Sequence, residues 1–240
     1  MVEIYKAEPS PEYPPEEGCY IRGNDYSPIA VCVILNRRRE ETPPDYENLV
    51  RVAVETGAAL GGTLQTENIG LEKVILNITA NPNIRYLVQM GPESPGHLTG
   101  EAVAALLKNG VDGRKRIIGT RAPTPYLFNI SMEHINRFRE QITLIDLLNE
   151  GSVDLVREVV SACYQEEPAM FRGYKLFDPG AIKKPPLSGK ITWRVTHPEK
   201  EPRTEEERAQ RDKGKAMVAW VKKRVEENKR SVRGAGGTSQ

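Results

Sequence analysis

The sequence is poor in the residue types from which most protein metal and redox sites are built. It holds three cysteines and three histidines in 240 residues. Cys19, Cys32 and Cys163 are odd in number, far apart, and fall in no CxxC or Cys/His spacing. This excludes a disulfide framework and a structural zinc, and reads as a reduced cytoplasmic protein. Cys32 lies in an apolar strand pattern and Cys163 in a helical one, so both are expected as buried small hydrophobes. An excess of one charge is missing too. Lys and Arg number 34 against 33 Asp and Glu, a net charge of +1, so no overall field favours nucleic acid or an anionic membrane surface. No window reaches the roughly 18 uninterrupted apolar residues of a membrane span, and the opening MVEIYKAEPSPEYPPEEG has no apolar signal segment. A soluble protein is expected. No GxGxxG follows the first strand pattern, GGTLQTENIG does not fit phosphate-loop spacing, and no GxSxG elbow occurs.

What is present is an alternation of short apolar runs and amphipathic segments. PIAVCVIL (28–35), IRYLVQM (84–90), RIIG (116–119) and TLIDLL read as strands. ENLVRVAVETG, SMEHINRFREQI and SVDLVREVVSACYQEE read as helices, and GAALGGTLQ as a connection. Leu71, Val74, Ile75 and Ile78 fall at i, i+3, i+4 and i+7, with Thr66 as the expected N-cap and Pro82 beyond the end. Val103, Leu106 and Leu107 mark a helix that stops at Asn109-Gly110. The expectation is an α/β, Rossmann-like domain over 19–171, its sheet mostly parallel with helices on both faces. An irregular arm over 1–18 precedes it. A Pro-rich extension over 172–240 follows, with ITWRVTH as an edge strand, a helix presenting Met217, Trp220, Val221 and Val225, and a disordered end.

The segment GPESPGHLTG, residues 91–100, sits between a strand and a helix, where open α/β sheets collect their ligands. Gly91, Gly96 and Gly100 are expected to let backbone approach a bulky ligand, while Pro92 and Pro95 restrict the loop. His97 is thereby presented, with Glu93, Ser94, Leu98 and Thr99 as its neighbours. His134, on a polar helix, and His197, in the extension, are expected at the surface. No second histidine or carboxylate is spaced to complete a zinc or iron site with His97. A lone imidazole suits a metal whose other ligands come from a macrocycle. HxxG opening a helix is the local pattern of several corrinoid proteins, which usually carry DxHxxG; here Pro95 stands in place of that Asp. Thr66, Glu67 and Asn68 read equally as a capping cluster or as part of a site.

The segments YPPEEGCYIRGNDYSPIAV, GTLQTENIGLEKVILNITANPNIRYL, GPESPGHLTG, NGVDGRKRIIGTRAPTPYLFNI and ACYQEEPAMF resemble the A subunit of tetrahydromethanopterin S-methyltransferase, a methyl-transfer family of methanogenesis and one-carbon metabolism. The resemblance covers about residues 13–171. It implies a Rossmann-type fold that binds a cobamide in a shallow cleft, with His97 as the axial cobalt ligand. It further implies corrinoid contacts from Gly91, Glu93, Ser94, Gly96, His97, Leu98, Thr99 and Gly100 of the histidine loop, from Thr66, Glu67 and Asn68 of TENIG and from Thr120, Pro123, Thr124 and Pro125 of GTRAPTP, and no catalytic side chain. The implied activity is that of a cobalamin-type methyl carrier. It accepts a methyl group from a methylated tetrahydropterin and passes it to a thiol such as coenzyme M, with other methyltransferase subunits presenting both substrates. Members of the membrane complex end in one transmembrane helix, whereas this chain ends in AMVAWVKKRVEENKRSVRGAGGTSQ, too charged to span. The expectation is a cytoplasmic paralogue without that anchor, at most peripheral to a membrane complex. A non-catalytic interaction module of the same fold, or an α/β enzyme acting on a pterin or nucleotide without cobalt, are the alternatives.

Overall fold

The structure, a computed structural model, describes residues 6–36, 41, 43–163, 169–171 and 174–176, with single positions between 204 and 223. In chain order the elements are β1 (Tyr20–Arg22), β2 (Ile29–Ile34), α1 (Pro44–Thr56), β3 (Leu60–Leu64), α2 (Ile69–Thr79), β4 (Tyr86–Gly91), α3 (Thr99–Asn109), α4 (Met132–Gln141), β5 (Thr143–Leu148), α5 (Val153–Cys163), and a hairpin of β6 (Ala169–Phe171) and β7 (Tyr174–Leu176). The main sheet runs β1-β3-β2-β4-β5, parallel except for β1. The chain leaves β2 for β3 on one side and returns across it to β4, so connections diverge at the carboxyl ends of β2 and β4. This is the expected α/β, Rossmann-like class.

The strand β2 shows why the fold closes. All six residues are buried. Ala30, Cys32 and Ile34 face a core with α2, α3 and α4, while Ile29, Val31 and Val33 face a second core with α1 and α5. A strand buried on both faces needs the continuous β-branched run that the sequence supplies. Burial pushes the Cys32 thiol up to about 12, so it is an inert core group at neutral pH. Cys163 is buried as expected, and Cys19 is half-buried.

Two expected elements differ. GAALGGTLQ is not a connection but contains β3, whose glycines depress strand propensity. A Cβ on Gly61 would sit 3.0 Å from the Val50 carbonyl oxygen of α1, so the residue that hides the strand is what lets the helix approach it. RIIG is not a sheet strand. It forms isolated bridges, Val111 with Ile117 and Arg116 with Tyr126, over the α2–α3–α4 core. Ile117 is buried but Ile118 is 44% exposed, so the run holds too little inward apolar surface for a sheet position.

The lower end of this core is closed by a buried amide. Gln141 Nε2 donates to the carbonyls of Asn81 and Ile84, both at 2.9 Å, and weakly to Ile78 at 3.4 Å. Gln141→Leu keeps the volume but removes the amide's bonds, leaving the carbonyls of Ile78, Asn81 and Ile84 with one other donor each, from Asn81 N, Ile84 N and Arg85 Nη1. It is expected to cost about 1–3 kcal/mol, read as a lowered melting temperature; an unchanged melt would show that water replaces the amide.

The N-terminal residues 6–18 carry no helix or strand, yet they are tied down. Glu16 N donates to Asn77 Oδ1 at 2.7 Å and Asn77 Nδ2 returns a bond to Glu16 O at 3.0 Å, while Tyr13 is buried. Residues 193–240 form a separate compact unit. Within it, described positions between 205 and 223 are helical, and Met217 and Trp220 are exposed. Val221, Val225 and ITWRVTH lie outside the described residues, as does the expected disordered end. Among the described residues no helix is long and apolar enough to cross a membrane.

Candidate functional site

Three loops meet at the carboxyl edge of the sheet. They follow β3 (65–68), follow β4 (92–98), and connect α3 to α4 through GTRAPTP. The β4 loop is fixed by its own carboxylate. Glu93 Oε1 accepts from the N–H groups of Ser94 and Gly100 at 2.7 and 3.0 Å, and Oε2 accepts from Glu101 N at 2.8 Å. A carboxylate on the first-turn N–H groups of α3 satisfies donors the helix cannot pair itself. Glu93→Ala is expected to destabilise the protein by about 1–2 kcal/mol and to speed hydrogen exchange at amides 94–101. Unchanged exchange there would refute the capping role.

His97 follows in a turn whose N–H donates to Ser94 O at 3.1 Å. The next residue, Leu98, has φ 49° and ψ 47°, in the left-handed region, at a cost of roughly 1–2 kcal/mol for a side chain with a Cβ. Leu98 packs against the core, which holds that conformation and turns the His97 ring outward. The imidazole is 45% exposed, and its Nδ1 lies 2.8 Å from Oε2 of Glu67, whose side chain is fully buried. Glu67 Oε1 accepts from Thr124 N at 2.9 Å and Thr124 Oγ1 at 2.7 Å. Burial pushes the Glu67 carboxyl up, but bonds from the Thr124 hydroxyl, the backbone N–H groups of Glu67 and Thr124, and His97 outweigh it. Its pKa lies below the ordinary carboxylate value. An ionised carboxylate only accepts, so Nδ1 carries a hydrogen and Nε2 of the neutral ring keeps its lone pair.

Sought in the sequence only as a fellow ligand in a zinc or iron site, this carboxylate is missed there as a hydrogen-bond partner of His97. Local spacing does not reveal it, because the position nearest the histidine where a carboxylate is usual is taken by Pro95. Glu67 lies 30 residues upstream and reaches the ring because β3 and β4 flank β2. Within TENIG the capping and site readings divide by residue. Thr66 Oγ1 accepts from Gly70 N at 3.0 Å and Asn68 Oδ1 from Ile69 N at 2.7 Å, both capping α2, while Glu67 faces the histidine. Asn68 Nδ2 also donates to Thr124 Oγ1 at 3.0 Å.

The other expected contact residues separate into presented and bracing groups. Gly96, Pro123 and Thr124 are exposed. Gly91, Ser94, Thr99, Gly100, Thr120 and Pro125 are buried. Gly91 has φ 84°, and a Cβ there would sit 2.7 Å from Ile34 O; one on Gly100 would sit 2.5 Å from Leu148 Cδ1. Packing of the chain on itself accounts for both, and of the three loop glycines only Gly96 faces open space. Thr99 Oγ1 braces the loop by donating to Gln65 O at 3.1 Å, and Pro125 O accepts from Ile117 N at 2.8 Å. Thr120 Oγ1 donates to Glu101 Oε1 at 3.2 Å, and Arg121 Nη2 donates to Glu101 Oε2 at 2.6 Å. This Glu101–Arg121 clamp between α3 and GTRAPTP joins residues 20 apart and leaves no local signal in the sequence.

His134 Nδ1 lies 2.8 Å from Ser131 Oγ at the start of α4, and burial lowers its pKa. His197 lies outside the described residues. Among the described residues no group of three His, Cys, Asp or Glu could hold a metal ion. A metal at His97 would therefore bring its other ligands with it, and a half-exposed imidazole backed by a buried carboxylate fits a metal already enclosed by a macrocycle.

Comparison with known proteins gives a consistent result. A model of the family described as the A subunit of tetrahydromethanopterin S-methyltransferase matches residues 6–177. The chain is 40% identical over 181 residues to the second of two A subunits of tetrahydromethanopterin S-methyltransferase in Methanothermobacter marburgensis, covering 75% of this chain and 86% of that protein. It is 38% identical over 172 residues to the first A subunit of the Methanothermobacter thermautotrophicus methyltransferase, covering 71% and 67%. Against the A subunit of the Methanocaldococcus jannaschii methyltransferase it is 33% identical over 183 residues, covering 76% and 67%.

Proposed function

The chain belongs to the A-subunit family of tetrahydromethanopterin S-methyltransferase, and from that premise we propose that it is the corrinoid-carrying subunit of a methyltransferase system, with His97 as the protein's ligand to cobalt. The observation that carries this reading is the Glu67–His97 pair, 2.8 Å apart, with a buried carboxylate behind a half-exposed ring. A cobamide bound there supplies a metal-centred nucleophile that takes a methyl group from a methylated tetrahydropterin and gives it to a thiol such as coenzyme M.

The chain's own residues position and hold. Glu67 fixes the tautomer of His97 and raises the donor strength of Nε2. Thr124 fixes Glu67, so the GTRAPTP loop is part of the same support. Glu93 and Leu98 set the backbone from which the ring projects. Neither the donor nor the acceptor of the methyl group requires a catalytic side chain of this chain. In this reading other methyltransferase subunits bring both to the exposed edge, in the cytoplasm. Pro95 is one of the grounds for the alternative of a cofactor-free interaction module; Glu67 supports the corrinoid reading instead by supplying the ring with the carboxylate partner that position 95 does not.

The test is reconstitution. The purified chain mixed with cobalamin is expected to retain it through gel filtration and to change its visible spectrum. A chain that elutes colourless, with the cobalamin spectrum unchanged, would refute the assignment.

A further inference from the structure

The ribbon that carries GTRAPTP at its turn shows more apolar surface than its own packing calls for. Arg116 pairs with Tyr126 in an antiparallel bridge. Ile117 N donates to Pro125 O at 2.8 Å, and Leu127 N to Lys115 O at 3.0 Å. Side chains alternate across such a pair: Ile117 and Leu127 are buried in the core, and Arg116, Ile118, Tyr126 and Phe128 take the outer face. Phe128 is 64% exposed and stacks on Tyr126 with ring centroids 4.9 Å apart. Scattered exposed side chains are ordinary, but neighbouring ones on a fixed ribbon mark a contact surface.

The ribbon is held on both sides. Asn129 donates through its N–H and its Nδ2 to the two oxygens of the buried Glu72 carboxylate of α2, both at 2.7 Å, and Lys115 Nζ donates to Ile130 O at 2.6 Å. At the other end Asn68 of the α2 cap reaches Thr124. Between these two ties α2 presents Ile69, 58% exposed. An aromatic pair on a backbone held in this way loses little entropy when a partner covers it, as do the anchor residues of protein interfaces.

Charge indicates what covers it. Arg114, Lys115 and Arg116 follow one another on the ribbon, and the acid beside them, Asp112, accepts from the N–H groups of Arg114 and Arg116 at 2.8 and 2.9 Å. Arg121 at the turn is matched by Glu101. The ribbon therefore keeps a positive surplus in a chain whose net charge is only +1, and an acidic surface complements it.

We infer that this ribbon is the docking face for an acidic, apolar-bearing surface of another methyltransferase subunit. The inference rests on the reading that other subunits serve this site, and deepens it by naming where one of them holds on. The same ribbon carries Thr124, which supports Glu67 and through it His97. A partner seated on Phe128 thus stands beside the edge to which a methyl donor or acceptor has to come. This continuity favours a protein over the nucleic acid or anionic membrane that a basic surface alone would suit.

The experiment puts the photoreactive analogue p-benzoylphenylalanine in place of Phe128 in the full chain, in its own cells, with the same analogue in place of the exposed Arg51 of α1 as control. Illumination is expected to join position 128, and not position 51, to a methyltransferase subunit at a site rich in Asp and Glu. Against that purified subunit, Phe128→Ala is expected to bind at least about tenfold more weakly. The double variant Arg114→Ala, Arg116→Ala is expected to bind more weakly and with a flatter dependence on salt. Cobalamin retention by Phe128→Ala is expected to equal the parent's. A crosslink to nucleic acid, lipid or a second copy of this chain, or none above the control, overturns the inference, as does a Phe128→Ala chain that binds the subunit as the parent does. A parent that crosslinks as expected but retains no cobalamin overturns the corrinoid reading alone. The crosslink needs no truncated side chain, so a Phe128→Ala chain that does not fold does not shield the inference.

Discussion

His97→Ala is expected to remove the protein's nitrogen from cobalt and to weaken corrinoid binding by roughly tenfold or more, about 1.4 kcal/mol for each factor of ten. The expectation follows from elimination as well as geometry. Among the described residues the only other histidine is His134, on α4 with its Nδ1 2.8 Å from Ser131 Oγ, and His197 lies outside the described residues. The folded state is expected to lose about 1–3 kcal/mol, because the ring itself is 45% exposed but its removal takes a bond from the fully buried Glu67 carboxylate. Loss of binding without loss of fold is the distinguishing result. Cobinamide is the better probe, since it carries no base of its own to supply an axial nitrogen. In the Co(II) state the electron paramagnetic spectrum of the parent is expected to show splitting from one nitrogen, absent in the variant. The same nitrogen splitting in both proteins would mean that His97 is a loop residue and no ligand.

The sequence discloses the fold where a residue's role depends on its neighbours in the chain, and conceals it where the role depends on distant ones. The strands β2, β4 and β5 are legible because continuous or near-continuous apolar runs have one physical use in a sheet covered on both faces. The strand β3 is concealed by Gly61 and Gly62, which serve the close approach of α1 and β1 and carry no apolar signal. RIIG misleads for the converse reason: it has β-branched residues but only one firmly buried position. His97 is legible through its loop. Its carboxylate is not, since Glu67 comes from another βα turn and becomes a neighbour only through the crossover that brings β4 beside β2. Of the three loop glycines, two answer to internal packing, which no local pattern distinguishes from ligand approach.

Glu67 is where fold and site are hardest to separate, and two substitutions separate them. At neutral pH Glu67→Ala is expected to cost about 2–4 kcal/mol, because the N–H and hydroxyl of Thr124 lose their acceptor along with His97 Nδ1. Glu67→Gln keeps one acceptor oxygen and the shape, and is expected to cost less, about 1–2 kcal/mol. The pH dependence has a definite sign. The folded-state pKa of Glu67 lies below its ordinary value, so its ionisation stabilises the fold above the usual carboxylate range. That contribution is lost as pH falls through the folded-state value. The stability gap between parent and Glu67→Gln is therefore expected to narrow on acidification, and constant-pH melts of both proteins measure it. A gap that widens in acid would show that Glu67 is neutral in the folded protein. For the corrinoid, Glu67→Ala is expected to weaken binding roughly 10–100-fold, the usual effect of removing the partner behind a ligating imidazole. Glu67→Gln has a single oxygen for the two sites that the carboxylate serves, His97 Nδ1 and Thr124; turned to Nδ1 it holds the tautomer, and it is expected to recover part of that loss. A merely structural role predicts a different pattern, with stability falling in both variants while the nitrogen splitting from His97 and the affinity of the folded fraction stay at parent values. That outcome would assign Glu67 to bracing the Thr124 loop alone, and leave the orientation of His97 to Glu93 and the left-handed turn at Leu98.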